Sequence, residues 1–134
     1  MTGAIQTQPL WDIIYADPPW PIQKTVRKCR PNQTPSLDYP TESVETCISL
    51  CEPFFNSAAR KHNVFMWAVD KYIADTERLM QDLGYKVHAR FIWDKMNGIA
   101  PAFTVRHTHE YLIWFFKRGG FSTLVKKHAA SSRP

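Results

Sequence analysis

Cysteine and glycine are scarce in this chain. Its 134 residues include three cysteines and five glycines. An odd number of cysteines without a Cys-x-x-Cys pair disfavours a disulfide framework, so the sequence indicates a reduced, cytoplasmic setting. Cys47 and Cys51 lie one helical turn apart, which leaves open a metal or redox pair, although two buried apolar thiols are the simpler interpretation. The few glycines form neither G-x-G-x-x-G nor a P-loop, so no nicotinamide or ATP site is indicated.

Long apolar runs are absent as well. No stretch reaches the roughly 20 apolar residues that span a bilayer, and the N-terminus lacks the charged-then-apolar pattern of a secretion signal. We therefore expect no membrane partner. What the chain does contain is apolar surface for a core: hydrophobic residues make up 44% of it and aromatic residues 13%. The sequence thus predicts one domain over residues 1–134, and the net charge of +5 suggests a polyanionic partner.

The stretch Trp11–Ala16 is apolar and β-branched, and it ends abruptly in Asp17-Pro18-Pro19-Trp20. Such a run predicts a buried parallel strand. The two prolines lack an N–H group and have a fixed φ, so the chain should leave the sheet as a stiff extended segment. At the carboxyl edge of an open α/β sheet, where ligands bind, that segment would offer a carboxylate, backbone carbonyls and a flat aromatic face.

These groups suit a planar base with an exocyclic amine. The carboxylate of Asp17 and a proline carbonyl can accept the two amine protons, and an aromatic ring can stack on the base. The structural alternative is an ordinary strand-to-loop exit, because Pro-Pro also punctuates loops.

The other elements alternate between strand and helix. Their order predicts an α/β sheet with parallel strands, and the last two strands, which no helix separates, should pair antiparallel. Gly84 should end the last helix as its C′ residue. The predicted helices cover residues 42–50 (capped by Thr41), 53 to about 61 (opened by Pro53) and 70–83, and the predicted strands cover residues 11–16, 63–68, 86–95 and 109–117.

A proline-rich loop between residues 21 and 40 carries a basic run. Loops of this length in compact domains are usually functional or disordered. Beside a base pocket, basic side chains would grip phosphates; a solvated, mobile loop is the alternative. The basic residues are Lys24, Arg27, Lys28 and Arg30.

The Asp-Pro-Pro-Trp motif is the signature of the MT-A70 family of adenine-N6 methyltransferases, and the sequence resembles that family from about residue 11 to residue 118. Four further matches follow the motif in order. They are Tyr39-Pro40-Thr41 before a helix, Phe65-Met66-Trp67 at a strand end, Gly84-Tyr85 leading to Phe91-Ile92-Trp93-Asp94-Lys95 and Gly98, and His109-Glu110-Tyr111-Leu112-Ile113 before Arg118-Gly119.

The resemblance implies a Rossmann-like, S-adenosylmethionine-dependent methyltransferase fold, permuted so that the catalytic motif precedes the adenosine-binding segment. It implies N6-methylation of adenine in nucleic acid, with S-adenosylmethionine as methyl donor and no metal. A compact domain without an added RNA-binding module favours DNA over RNA. Asp17 and Pro18 would position the adenine amine and contact the cosubstrate, Pro19 and Trp20 would shape the base pocket, and Tyr39 would border it.

On the same resemblance, Lys95 would reach the carboxylate end of the cosubstrate, although it could be a surface strand end. Glu110, where the family keeps a glutamate, could belong to the site or only pair with Arg106 or Lys95. His107 and His109 share a strand face, but no third ligand accompanies them, so they are interpreted as structural and no metal site is expected. The side chains of Tyr39 and Trp67 suit the core as well as a pocket.

The resemblance weakens at the C-terminus. The family continues past a His-Ser-x-Lys-Pro-like stretch into a strand and the adenosine-binding segment, whereas residues 128–134 echo that stretch only faintly. We therefore expect weak binding of S-adenosylmethionine by this chain alone. Either the chain is a fragment or a shortened domain, or another chain in a homo- or hetero-oligomer completes its site. The alternative is a catalytically inactive or partner-dependent nucleic-acid-binding relative.

Overall fold

The computed structural model describes residues 10–22, 40–96 and 108–117. None of the helices in these ranges is long and apolar enough to cross a membrane. The strands are β1 (Trp11–Ala16), β2 (Ala58–Ala68), β3 (Tyr85–Asp94) and β4 (His109–Lys117), the helices are α1 (Val44–Asn56) and α2 (Ile73–Asp82), and a 3₁₀ turn (Asp70–Tyr72) leads into α2.

The strands form one mixed sheet in the order β1-β2-β4-β3. β1 and β2 run parallel, and β4 runs antiparallel to both β2 and β3. The α/β class is confirmed, and so is the prediction that the last two strands pair antiparallel. In this arrangement the carboxyl ends of β1, β2 and β3 lie at one edge of the sheet together with the amino end of β4.

Both helices pack on the same face of the sheet, which we call the covered face. Phe55 of α1 contacts Tyr85 of β3, with ring centroids 5.2 Å apart, and Glu77 of α2 binds Arg90 of β3. The core between helices and sheet includes Val44, Cys47 and Ile48 of α1, Met80 of α2, Val64, Met66 and Ala68 of β2, and Ile113 and Phe115 of β4.

The opposite face has no helix among the described residues, and we call it the open face. Cross-strand pairs place Tyr15 beside Phe65 and Phe65 beside Trp114, so these side chains share this face. Members of the open face that remain largely solvent-exposed are Ile13 (45%), Tyr15 (64%), Phe91 (46%) and Trp93 (52%).

β1 differs from the buried strand that its sequence predicted. It lies at the edge of the described sheet, and Trp11, Ile13 and Tyr15 are exposed. Ile14 and Ala16 pack against the core. A continuous apolar run predicted two covered faces, whereas α1 and α2 cover one.

α1 is a single helix with a different cap from the predicted one. Ser43, not Thr41, is the N-cap, because its Oγ accepts a hydrogen bond from the Thr46 N–H at 3.1 Å. Pro53 lies inside the helix and does not open a second one. It sits in the last turn, so its missing N–H removes one helical bond without breaking the helix. Residues 58–61, predicted to be helical, begin β2.

The end of α2 agrees with the sequence. Gly84 has a φ of +89° and follows the C-cap residue Leu83, so it is the predicted C′ residue. The Gly84 N–H donates to Gln81 O at 2.9 Å, and the Leu83 N–H donates to Leu79 O at 3.2 Å. Glycine adopts this left-handed conformation without a steric penalty, which allows the abrupt turn into β3.

Candidate active site

The segment that follows β1 is turned and not extended. The Trp20 N–H donates to Pro18 O at 2.8 Å, and the Ile22 N–H donates to Trp20 O at 2.7 Å. Bonds that span two residues are those of γ-turns, and Pro19 and Pro21 occupy the central positions, where their fixed φ suits the inverse form. The prolines therefore stiffen two tight turns in place of the extended segment that the sequence predicted.

Both proline carbonyls of the motif already have partners. Pro18 O accepts from the Trp20 N–H, and Pro19 O accepts from the Glu42 N–H at 2.9 Å. A carbonyl oxygen has two lone pairs, so Pro18 O retains one acceptor position. The bond to Glu42 ties the motif to the segment that precedes α1.

The indole of Trp20 does not present the free aromatic face that the sequence predicted. Trp20 is only 3% exposed and belongs to the hydrophobic core. Its Nε1–H donates to Trp67 O at 2.9 Å, as a buried indole N–H usually requires. Trp20 therefore anchors the motif to the end of β2, and its ring is a buried wall and not a free stacking face.

A cavity of about 120 Å³ lies at the end of β1, and we call it the small cavity. Asp17 and Glu110 place two carboxylates in its wall, beside Pro18 and Trp20. Pro19 is not among the residues that line it. The rest of the lining is Ile22, Trp67, Ala68 and Val69.

A cavity of about 620 Å³, the large cavity, shares Ile22, Val69 and Glu110 with the small one. Its volume falls within the range of pockets that bind small molecules, about 300–1,000 Å³. Two lysines, two carboxylates and a tyrosine mix in its wall, which suits a zwitterionic ligand. The remaining lining residues are Pro21, Asp70, Lys71, Tyr72, Lys95 and His109.

Lys95 lines the large cavity and pairs with Glu110, which lines both cavities. Its Nζ forms an ion pair with Glu110 Oε1 and lies 5.9 Å from the ring centroid of Trp93. Its backbone N–H donates to Thr108 O at 2.8 Å. The sequence left open whether Glu110 pairs with Lys95, and this pair is observed. Both side chains also line the large cavity.

Asp17 has an unusual electrostatic environment for an aspartate. The residue as a whole is solvent-accessible, yet partial burial of its carboxyl raises its pKa, and the negative charge of Glu110 raises that pKa further. A carboxylate of raised pKa binds a proton more readily than an ordinary aspartate. The geometry thus brings a proton acceptor to the wall of the small cavity.

Several residues of the predicted site lie outside the described ranges. The proposed phosphate-binding residues and the residue expected to border the base pocket are Lys24, Arg27, Lys28, Arg30 and Tyr39. Their roles stay predictions, as does the interpretation of His107.

Tyr72, in the 3₁₀ turn, was not predicted from the sequence as a site residue. Its OH donates to Pro21 O at 2.8 Å, which links the motif to the segment after β2, and its ring lines the large cavity. A signal was present: β1 and β2 are parallel, so the residues after both strands meet at one edge. Asp70 and Lys71 reach the same cavity for the same reason.

The described residues contain no group of three side chains that could hold a metal ion. The thiol of Cys47 is fully buried, and this burial raises its pKa to about 11. A thiol in that environment is inert as a ligand or nucleophile, so the interpretation as an apolar core residue fits it.

His109, which the sequence analysis interpreted as structural, forms a hydrogen bond between its Nε2 and the Tyr111 OH at 3.0 Å.

Comparison with known proteins informs the fold. No family model matches the sequence, and no curated protein matches it. Among solved structures, the crystal structure of the M1.HpyAVI–SAM complex is similar, with a TM-score of 0.52 at 14% identity, over 81% of this chain and 44% of that one. This likeness shows a shared α/β fold. The chain spans less than half the length of that structure.

Proposed function

We propose that this chain carries the catalytic motif of an enzyme that transfers a methyl group from S-adenosylmethionine to N6 of adenine in nucleic acid, DNA in preference to RNA. The observation that carries the proposal is the position of Asp17, a carboxylate of raised pKa in the wall of a small polar cavity that adjoins a ligand-sized one. The fold shared with M1.HpyAVI, whose crystal structure is a SAM complex, supports the methyl donor.

The small cavity would receive the amine edge of the base. The Asp17 carboxylate accepts one N6 proton, and the remaining lone pair of Pro18 O accepts the other. Two acceptors favour the geometry in which the N6 lone pair, otherwise delocalised into the ring, attacks carbon. As the N6–carbon bond forms, N6 becomes acidic and releases one proton, which Asp17 can take because its pKa is raised.

The large cavity would receive the cosubstrate. S-adenosylmethionine supplies an electrophilic methyl group whose sulfonium leaves as a neutral thioether, so no leaving-group acid is needed. Lys95 would face the cosubstrate carboxylate, with Tyr72 on the same wall. An ammonium group has three donors, so Lys95 can bind that carboxylate while it remains paired with Glu110.

The basic residues Lys24, Arg27, Lys28 and Arg30 would hold phosphates beside the base. Replacing all four with Ala should weaken nucleic-acid binding for every sequence and should reduce the slope of log affinity against log salt by up to about four contacts' worth. An unchanged slope would remove them from the interface.

The second candidate is a partner-dependent nucleic-acid-binding relative without activity of its own. The exposed apolar residues of edge strand β1, next to the candidate site, favour it. Calorimetry with S-adenosylmethionine separates the candidates: weak binding by the chain alone, with a dissociation constant near or above about 1 mM, would favour dependence on a partner. Micromolar binding would instead show that these residues complete the site.

Asp17→Ala is the direct test of the proposal. Loss of one positioned acceptor should reduce methyl transfer to adenine by about a hundredfold or more, whereas Asp17→Asn should retain part of the activity through its amide oxygen. Asp12→Ala, in the strand that precedes Asp17 and also exposed, is the matched control and should leave the rate unchanged. If Asp17→Ala unfolds the protein while Asp12→Ala does not, the residue is structural and the proposal is wrong.

A further inference from the structure

Glu110 is a carboxylate that the proposed reaction does not yet use. It is the second residue of β4, and its side chain is 29% exposed. It lines both the small and the large cavity and is not part of the hydrophobic core. A partly buried charge is destabilising unless it is paired, and Glu110 is paired with Lys95, so the pair as a whole is placed beside both cavities.

The sheet topology explains how Glu110 reaches this place. β4 is antiparallel to its neighbours, so its first residues lie at the edge where β1 and β3 end. Asp17 follows β1, Lys95 follows β3, and Glu110 lies opposite Trp93 in the β3–β4 pairing. Three charged side chains, distant in sequence, therefore meet at one edge.

Of the three charged side chains, Lys95 and Glu110 form an ion pair with each other, whereas Asp17 is a carboxylate beside Glu110 in the small cavity. Two carboxylates in one cavity repel each other, and Lys95 offsets one of the two negative charges. Within the described ranges, the other charged or titratable groups at this edge are Glu42 before α1, Asp70, Lys71 and Tyr72 in the 3₁₀ turn, Asp94 at the end of β3, and His109 in β4.

We propose that Glu110 is a positioning residue for methyl transfer, which holds the Lys95 ammonium at the wall of the large cavity and keeps a fixed negative charge beside Asp17. This inference rests on the proposed function. Glu110 touches neither reacting atom in this scheme. It acts through Asp17, whose affinity for the N6 proton it increases, and through Lys95, whose place at the cosubstrate cavity it fixes.

The experiment follows the titration of the Asp17 carboxyl by carbon-13 NMR in the full chain, and it needs no turnover. In Glu110→Gln, which keeps the size and the acceptor oxygen but removes the charge, the pKa of Asp17 should fall toward its ordinary value. Glu110→Asp keeps the charge and should leave the pKa of Asp17 near that of the unchanged chain. Thermal melting of both variants checks that the fold is retained.

Turnover then gives a second readout. The acidic limb of the pH–rate profile should move to lower pH in Glu110→Gln and return in Glu110→Asp, which a purely structural role would not produce. If Asp17 titrates identically in Glu110→Gln and in the unchanged chain, the inference is overturned even where methyl transfer is observed. If the titration shifts as expected but the chain transfers no methyl group, the proposed function fails and the coupling of Glu110 to Asp17 stands.

Discussion

The two faces of the sheet carry similar side chains but end in different environments. On the covered face, Val64, Met66, Ile113 and Phe115 are each 0% exposed. The aromatic side chains that neighbour them on the open face, such as Phe65 and Trp114, are half-buried or exposed. Because both faces are apolar, composition alone does not separate them; the helices α1 and α2 do.

On the open face, contacts between neighbouring aromatic side chains replace part of the burial that a helix would provide. Phe65 stacks on Trp114, with ring centroids 5.2 Å apart, and Trp67 meets Trp93 edge-on at 5.6 Å. The Trp114 Nε1–H donates to Asn63 Oδ1 at 3.0 Å. Aromatic pairs of this kind are worth about 0.5–1.5 kcal/mol each beyond their burial, less than the burial of a whole side chain under a helix.

The largest expected effect separates the two faces directly. Phe115→Ala removes a fully buried ring and should lower the free energy of unfolding by about 3–5 kcal/mol, through lost burial and the cavity left behind. Phe91→Ala, on the open face and 46% exposed, should cost under about 1.5 kcal/mol. Urea unfolding of the two variants measures the difference. Equal losses would mean that the open face is as well packed as the covered one.

A matched pair of tyrosines sharpens the comparison at the level of hydrogen bonds. On the covered side, His62 Nδ1 lies 2.6 Å from Ala59 O, and its Nε2 lies 2.6 Å from the Tyr85 OH. A carbonyl only accepts, so Nδ1 carries the proton of the neutral ring and Tyr85 donates to Nε2. Burial raises the pKa of Tyr85 to about 12, which keeps this donor protonated.

Tyr85→Phe should therefore leave a buried ring nitrogen without a donor and cost about 1–3 kcal/mol of unfolding free energy. Tyr15→Phe removes a hydroxyl on the open face that accepts from the Trp67 Nε1–H. Tyr15 is 64% exposed, so water can replace it and the change should stay within about 0.5 kcal/mol. A larger loss for Tyr15→Phe than for Tyr85→Phe would contradict the distinction between the faces.

The sequence predicted the elements better than it predicted their surroundings. β4 has the predicted bounds, because an uninterrupted run of β-forming residues ends at glycine, and Gly84 ends α2 as expected. The continuous helix through Pro53 was missed because proline is equally at home in a first turn. The open face was missed because an apolar pattern shows what needs covering, not what covers it.

The candidate site was predictable in its motif and not in its assembly. Asp17 could be identified from the motif, but the turned prolines and the buried indole of Trp20 depend on bonds to Glu42 and Trp67, which lie far away in sequence. The partner of Glu110 was left open between Lys95 and Arg106 because strand register, which a sequence pattern does not give, decides which side chains meet.

The buried histidine also gives the covered face a pH dependence. Burial is the main cause that lowers the pKa of His62 below 6.5, and the charge of Lys117 lowers it further, against the Ala59 carbonyl, which raises it. The unfolded chain therefore binds a proton at higher pH than the folded one. The stability that the neutral ring contributes is complete above pH 6.5 and declines as the pH falls from there to the folded-state pKa.

Unfolding free energies measured between about pH 8 and pH 5 should show this decline. His62→Gln, which has no titrating group, should be less stable at pH 8 but should lose less on acidification. A slope that is the same in both proteins would show that the other histidines, and not the covered face, determine the pH dependence.

The smallest effect is expected where the covered face ends. Arg90 lies opposite Ile113 in the β3–β4 pairing, and its guanidinium binds Glu77 of α2 through two hydrogen bonds, Nε to Oε1 at 2.5 Å and Nη2 to Oε2 at 2.7 Å. The side chain of Arg90 is 47% exposed and that of Glu77 16%, so solvent screens the pair. A double-mutant cycle of Glu77→Gln and Arg90→Gln should give a coupling of about 0.2–1 kcal/mol that shrinks with added salt. A coupling well above that range that did not change with salt would show that the pair is shielded from solvent, and that the covered face ends farther along β3 than Arg90.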